Sequence, residues 1–182
     1  GVRYIDTAPF YGFGLSEHRV GSFLSQQPRQ EFVLSTKVGR ILKAPKVRAG
    51  FKPPIFLGGL PFDHVFDYSY DGIMRSYEDS LQRLRLNSID LLVIHDLEFG
   101  HHGAELQAYR DQFADSGWRA VERLRSTGEI RAIGAGINEL GVIPYFLERF
   151  DLDFFILARH YTLLEQEALD EELPMCQARN IG

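Results

Sequence analysis

The amino-acid sequence predicts an α/β fold built on a parallel sheet, and three observations carry that expectation. Five short, β-rich apolar runs alternate strictly with stretches of helical periodicity, the pattern of repeated strand–helix–strand units. No tight hairpin signal joins any two of these runs, so parallel pairing through crossover helices is the natural connection. Three successive runs end on ionisable residues, Asp6, Lys37 and His95, at the strand edge where α/β proteins build their sites.

In chain order, Val2 to Ile5 is the first strand and ends on Asp6. Pro9, Gly12 and Gly14 mark a turn that carries Tyr11, and Ser16 is the expected N-cap of a helix running to about Gln27. Pro28 ends that helix, and the strand Phe32–Thr36 leads to Lys37. Residues 39 to 69 break the rhythm with Pro45, Pro53, Pro54 and Pro61 and the aromatics Phe51, Phe56, Phe62, Phe66 and Tyr68. A loop this long in a compact domain is functional or disordered, and its aromatic content argues against disorder. Because it begins beside Lys37, it is expected to form a lid or substrate wall, an ordered decoration being the alternative.

Tyr70 to Leu86 is the clearest helix, with Ile73, Met74, Tyr77, Leu81 and Leu84 at three- and four-residue spacing. The strand Ile89–Ile94 ends on His95 and opens a second long loop with Glu98, His101, His102 and Glu105. The adjacent histidines are expected to be solvated there. A helix Trp118–Ser126 with Gly128 as its C-cap precedes the strand Ile130–Gly136, which ends near Asn138. A helix over Gly141–Phe150 tolerates Pro144 in its first turn. The strand Asp153–Ala158 and a helix Gln166–Ala178, which Pro174 threatens to split, complete the chain.

The 182 residues, 45% hydrophobic and 25% charged, fit one globular domain spanning 1–182. A net charge of −5 offers no basic footprint for nucleic acid. No apolar run approaches the ~20 residues that span a bilayer, and no signal-peptide pattern opens the sequence. The lone Cys176 cannot form an internal disulfide, which points to a reducing, cytoplasmic setting.

The ionisable cluster suggests its own chemistry. A tyrosine titrates near 10 and exchanges protons poorly at neutrality, but a nearby ammonium favours the phenolate. Lys37 can supply that charge, Asp6 can hold the lysine, and His95 can orient a substrate oxygen. The group suits proton transfer at an oxygen whose carbon gains or loses hydride. No side chain donates hydride, so a nicotinamide cofactor is implied. Each residue alone has a structural explanation: Asp6 as a turn cap, Tyr11 as a packed aromatic, Lys37 and His95 as incidental. Their common placement at strand ends is what carries the functional expectation.

The segments Asp6-Thr7-Ala8-Pro9-Phe10-Tyr11-Gly12, Ser35-Thr36-Lys37-Val38-Gly39 and Asp90-Leu91-Leu92-Val93-Ile94-His95 resemble the aldo-keto reductase family. Lys37-Val38-Gly39-Arg40, His95-Asp96, Gly134-Ala135-Gly136-Ile137-Asn138 and Tyr161-Thr162-Leu163-Leu164-Glu165-Gln166 resemble its aldose and pyridoxal dehydrogenase branch. The resemblance implies a (β/α)8 TIM barrel, here incomplete and covering about strands 2 to 6. It implies an oxidoreductase using NADP or NAD on a small sugar or aldehyde, with Asp6, Tyr11, Lys37 and His95 catalytic. In the branch reaction the anomeric carbon of an aldose is oxidised to a lactone, with Tyr11 as base; in the reductive direction Tyr11 is the acid. Asn138, Thr7 and Asp6 match cofactor-binding positions, while Ala158 stands where much of the family has a nicotinamide-contacting Gln.

Two rivals remain beside an NADPH-dependent carbonyl reductase on the same site. A metal-dependent hydrolase would use His95, Asp96, His101 and His102, but adjacent histidines do not converge on one ion and the spacing matches no strong signature; no metal is expected. A nicotinamide-binding sensor without catalysis would keep the same fold. A typical closed barrel needs about 250 residues, so these 182 read as an excerpt of a longer chain. The isolated chain is expected to aggregate and bind cofactor poorly through its bare strand edges. Size-exclusion chromatography with a cofactor titration checks this, and a monodisperse preparation that binds tightly overturns it.

Overall fold

A computed structural model of the chain describes residues 1–53 and 55–182; Pro54, one of the prolines of the aromatic loop, lies outside them. The apolar runs pair side by side. Strand β1 is Tyr4–Asp6 and β2 is Val33–Val38; Arg40–Lys43 (β3) and Asp63–Phe66 (β4) follow, then Leu91–His95 (β5), Ala132–Ile137 (β6) and Phe154–Leu157 (β7). Five of these form one parallel sheet in the order β1-β2-β5-β6-β7. The order never reverses, so right-handed crossovers put every connecting helix on the same face. Helices α1 (Leu15–Leu24) and α2 (Tyr70–Leu84) pack together. The layer continues through α3 (Phe99–His102), α4 (Leu106–Gln112), a π turn Phe113–Gly117, α5 (Trp118–Ser126), α6 (Val142–Arg149) and α7 (Glu172–Ala178). A sheet covered on one face curls toward the other, and the result is an arc of a β/α barrel.

The core lies between sheet and helices. Leu34, Val38, Leu92, Ile94, Ile133, Ala135 and Ile137 face Ile73, Leu84, Val121, Leu124, Ile143 and Phe146 there. Side chains alternate along a strand, so Ser35, Lys37, Val93, His95, Gly136 and Asn138 belong to the opposite, inner face. The register sets their level. Asp6 pairs with Ser35, two residues before Lys37; Lys37 pairs with Val93, two before His95; His95 pairs with Gly136, two before Asn138. Each of these positions thus sits two residues further along the next strand. This stagger is the shear that accompanies strand tilt in a barrel, and it keeps these positions on one rim.

The structure departs from the sequence expectation in four places. The aromatic loop contains an antiparallel pair, Arg40 opposite Phe66 through Lys43 opposite Asp63; its strands mix polar and apolar residues without alternation and lie far apart in sequence, so no hairpin pattern marks them. The second long loop is largely helical from Phe99 onward. Helix α1 starts one residue before Ser16, with Gly14 at the N-cap, and the Ser16 hydroxyl instead meets Thr7 Oγ1 at 2.8 Å. Pro174 falls in the first turn of α7, where a missing N–H is harmless, and the expected single helix begins with a separate 3-10 turn at Glu167–Leu169. Among the described residues no helix is long and apolar enough to cross a membrane.

Two glycines are required by geometry. Gly39 turns β2 into β3 at φ +104°, with the Tyr68 ring in the space a side chain would fill. Gly21 brings α1 onto the end of α2, and a Cβ there would overlap the Leu84 carbonyl. Gly21→Ala is expected to destabilise the protein by about 1–3 kcal/mol, the usual cost of overpacking. The denaturant midpoint of the variant checks this; an unchanged midpoint contradicts the close approach.

Candidate functional site

The strand ends open into a cleft of about 230 Å³, lined by Tyr11, Lys37, His95, Asn138, Phe56 and Arg159 among others. Lys37 is only 3% exposed. Its ammonium pairs with the Asp6 carboxylate and donates to the Thr7 carbonyl at 3.1 Å. Ser35 Oγ donates to the other Asp6 oxygen at 2.5 Å. Lys37 Nζ lies 4.9 Å from the centroid of the Tyr11 ring. That ring stands nearly perpendicular to His95, 5.8 Å between centroids. The structure therefore brings Asp6, Tyr11, Lys37 and His95 to one place.

Burial dominates the state of His95, pulling its pKa down to about 3; Arg40 and Lys37 push the same way, and Asp96 opposes them. The imidazole is neutral at physiological pH. Its Nε2 is 3.3 Å from Asp96 Oδ2, and its buried Nδ1 has no partner among the described residues. A proton on Nε2 satisfies the first observation.

Asp96, with a left-handed φ of +52°, is the centre of a polar network beneath the cleft. It receives Arg40 Nη2 at 2.5 Å and Asn138 Nδ2 at 2.9 Å, with His101 Nε2 at 3.5 Å. Burial disfavours its charge, but His95, Arg40 and His101 together hold its pKa below the usual value. Arg40 is buried with its guanidinium over the rings of Phe10 and Phe66, 4.0 and 4.5 Å from their centroids. Burial raises the Glu98 pKa even though hydrogen bonds from Asn138 counter it. Ligand atoms of Asp96, Glu98 and His101 lie within 4.8 Å of one another. The Arg40 cation already occupies Asp96, and the Asn138 amide occupies both carboxylates, so the cluster is chemically unlike a cation site.

The remaining expected residues fall as follows. Asn138 lines the cleft. Thr7 is fully buried with its hydroxyl turned to Ser16, and it meets the site through its carbonyl. Ala158 lines the cleft and offers only a methyl group. Phe56 supplies the wall expected of the aromatic loop, its ring 5.3 Å from that of Phe10. The expectation of solvated histidines holds for one of the two: His101 is exposed at the edge of the cleft, whereas His102 is buried against Phe66 and Tyr109. The network of Arg40, Asp96 and Glu98 was not singled out by sequence reasoning. Its one signal is the pair of carboxylates flanking Leu97 directly after a buried strand.

A model of the Aldo/keto reductase family matches residues 1–182. Pyridoxal 4-dehydrogenase from Microbacterium luteolum is 42% identical over 196 aligned residues, covering all of this chain and 56% of that protein. D-threo-aldose 1-dehydrogenase from Pseudomonas sp is 40% identical over 192, covering all of this chain and 54% of that protein. Glycerol dehydrogenase AKR11B4 from Gluconobacter oxydans superposes with a TM-score of 0.71 at 27% identity, over all of this chain and 47% of that one. The chain thus spans about half the length of the curated relatives it matches. The parallel arc is the corresponding part of a (β/α)8 barrel.

The buried histidines make stability depend on pH. Burial also lowers His102, to about 4. Tyr68 gives its proton to the His95 carbonyl at 2.6 Å, so His102 Nε2 must donate to Tyr68 Oη at 3.1 Å. Both native pKa values lie below that of a free histidine, about 6.5, so the unfolded chain takes up protons first. Their contribution is complete above about pH 6.5 and is lost as pH falls toward about 4 and about 3. The denaturation midpoint is expected to fall across that window, and less steeply in His102→Gln. A fall of equal steepness in the variant contradicts a neutral, buried His102.

Proposed function

The chain belongs to the aldo/keto reductase family, and from that premise we propose that the whole protein is an NAD(P)-dependent oxidoreductase of aldoses. The reaction is oxidation of the anomeric carbon to a lactone. The observation that carries this reading is the convergence of Tyr11, the Lys37–Asp6 pair and His95 in one cleft.

The cleft fits a nicotinamide on two counts. Asn138 Oδ1 accepts no hydrogen bond from the described residues, although the amide nitrogen is fully used. The adjoining wall of Ile156 and Ala158 is apolar and suits a flat ring. Asn138 would hold the carboxamide; Asp6 and Thr7 would act through Lys37, which they fix in place. The bound nicotinamide supplies the hydride acceptor.

The chain's own groups handle the proton. Tyr11 takes the proton of the anomeric hydroxyl as the carbon gives up its hydride and the C–O bond becomes a carbonyl. Tyr11 accepts that proton as phenolate and ends the step as phenol; the Lys37 ammonium, fixed by Asp6, places positive charge beside its oxygen while it is anionic. Neutral His95 has a single N–H, on Nε2, which Asp96 Oδ2 at 3.3 Å and the sugar oxygen would share; that bond fixes the direction in which the sugar's proton leaves. Phe10 and Phe56 exclude water from one side.

The test follows reduced nicotinamide with NAD and NADP across L-fucose, D-arabinose, L-galactose and pyridoxal, using the full-length protein. Tyr11→Phe is expected to lower kcat by about 10²–10⁴-fold, the usual contribution of a general acid–base group, with cofactor affinity unchanged. Equal turnover in the variant overturns the role of Tyr11. Cofactor binding without turnover on any substrate transfers the site to the sensor reading.

A further inference from the structure

Three donors converge on Glu98, which is 1% exposed. Asn138 Nδ2 donates to Oε1 at 2.6 Å, and the backbone N–H groups of Asn138 and Glu139 donate to Oε2 at 2.8 and 3.2 Å. The second hydrogen of Asn138 Nδ2 goes to Asp96 Oδ1 at 2.9 Å. Both amide hydrogens are therefore consumed by carboxylates. The opposite orientation would set the amide oxygen against two carboxylates, acceptor facing acceptor. His160 Nε2 fixes the same residue from a third side, 2.8 Å from the Asn138 carbonyl.

We propose that Glu98, assisted by Asp96, is a positioning residue that locks the Asn138 side chain with its nitrogen inward and its oxygen toward the cleft. The seat it creates accepts an N–H donor and repels an acceptor, so it selects a primary carboxamide over a carboxylate at that point of the ligand. This rests on the nicotinamide reading of the cleft. The dinucleotide taken would carry nicotinamide, and its nicotinic acid counterpart, a carboxylate at the same carbon, would be refused.

Glu98→Gln keeps the shape and removes the lock. Glutamine has one acceptor oxygen, and its own NH2 would confront the Asn138 NH2. That clash disappears when the Asn138 amide turns over, at the cost of setting its oxygen against Asp96 Oδ1, so the variant populates both orientations and presents a donor to the cleft for part of the time.

The experiment measures dissociation constants of the full-length protein for NAD(P) and for the corresponding nicotinic acid dinucleotide, by quenching of protein fluorescence. Wild type is expected to prefer the carboxamide by about tenfold or more, the scale set by an unmatched buried polar group. Glu98→Gln should lower that preference severalfold, Asp96 still holding the other amide hydrogen, and should change nothing further in an Asn138→Ala background, because Glu98 acts through Asn138. Wild type that binds both dinucleotides equally overturns the inference without recourse to any variant. A folded Glu98→Gln protein that keeps the full preference also overturns it. Wild type that binds neither dinucleotide overturns the oxidoreductase reading itself, an outcome distinct from the other two.

Discussion

A buried ammonium governs the architecture of this site. Removing a lysine from water costs several kcal/mol unless a carboxylate meets it in good geometry, and Asp6 on the neighbouring strand does so. The pair exists only because β1 and β2 run parallel in one register. A slip of one residue would turn Lys37 into the helix-facing core. The Thr7 carbonyl takes a second ammonium hydrogen and Ser35 donates to the other Asp6 oxygen, so both members of the pair are anchored. With that register set, the two-residue stagger carries the same rim across β5 and β6 to His95 and Asn138.

The strands and the site residues were legible in the sequence for one physical reason. A strand buried on both faces is a short apolar run, and an ionisable residue at its end stands out against it. Lys37 and His95 announce themselves in this way. The β3–β4 pair does not, because Arg40, Lys43, Asp63 and His64 give it no apolar alternation and a long segment separates its strands. The helices after His95 were obscured by Gly100, Gly103 and Gly117, which lower local helix propensity while the surrounding packing overrides it. Glu98 and Asp96 were hidden more deeply. Their meaning lies in Asn138, about forty residues away, and no local pattern reports a contact of that kind.

Arg40 ties the unexpected hairpin to the barrel. Its guanidinium stacks on Phe66 of β4 and on Phe10 of the Tyr11 loop, while its charge reaches Asp96 after β5. A single side chain therefore sets the distance between the aromatic wall and the polar network beneath the cleft. Stacking and a charge-assisted hydrogen bond act together here, a combination for which lysine has no substitute. The aromatic wall of the cleft is thus referenced to the same point as Tyr11, Lys37 and His95.

The loops after β5 and β6 hold one another reciprocally. Glu98 receives the backbone N–H groups of Asn138 and Glu139, and Glu139 receives those of Phe99 and Gly100. Each loop is anchored by the other, so the two form one structural unit. A library that randomises one of them while leaving the other fixed will mostly sample broken pairs, and new specificities on this scaffold are reached by exchanging both loops together.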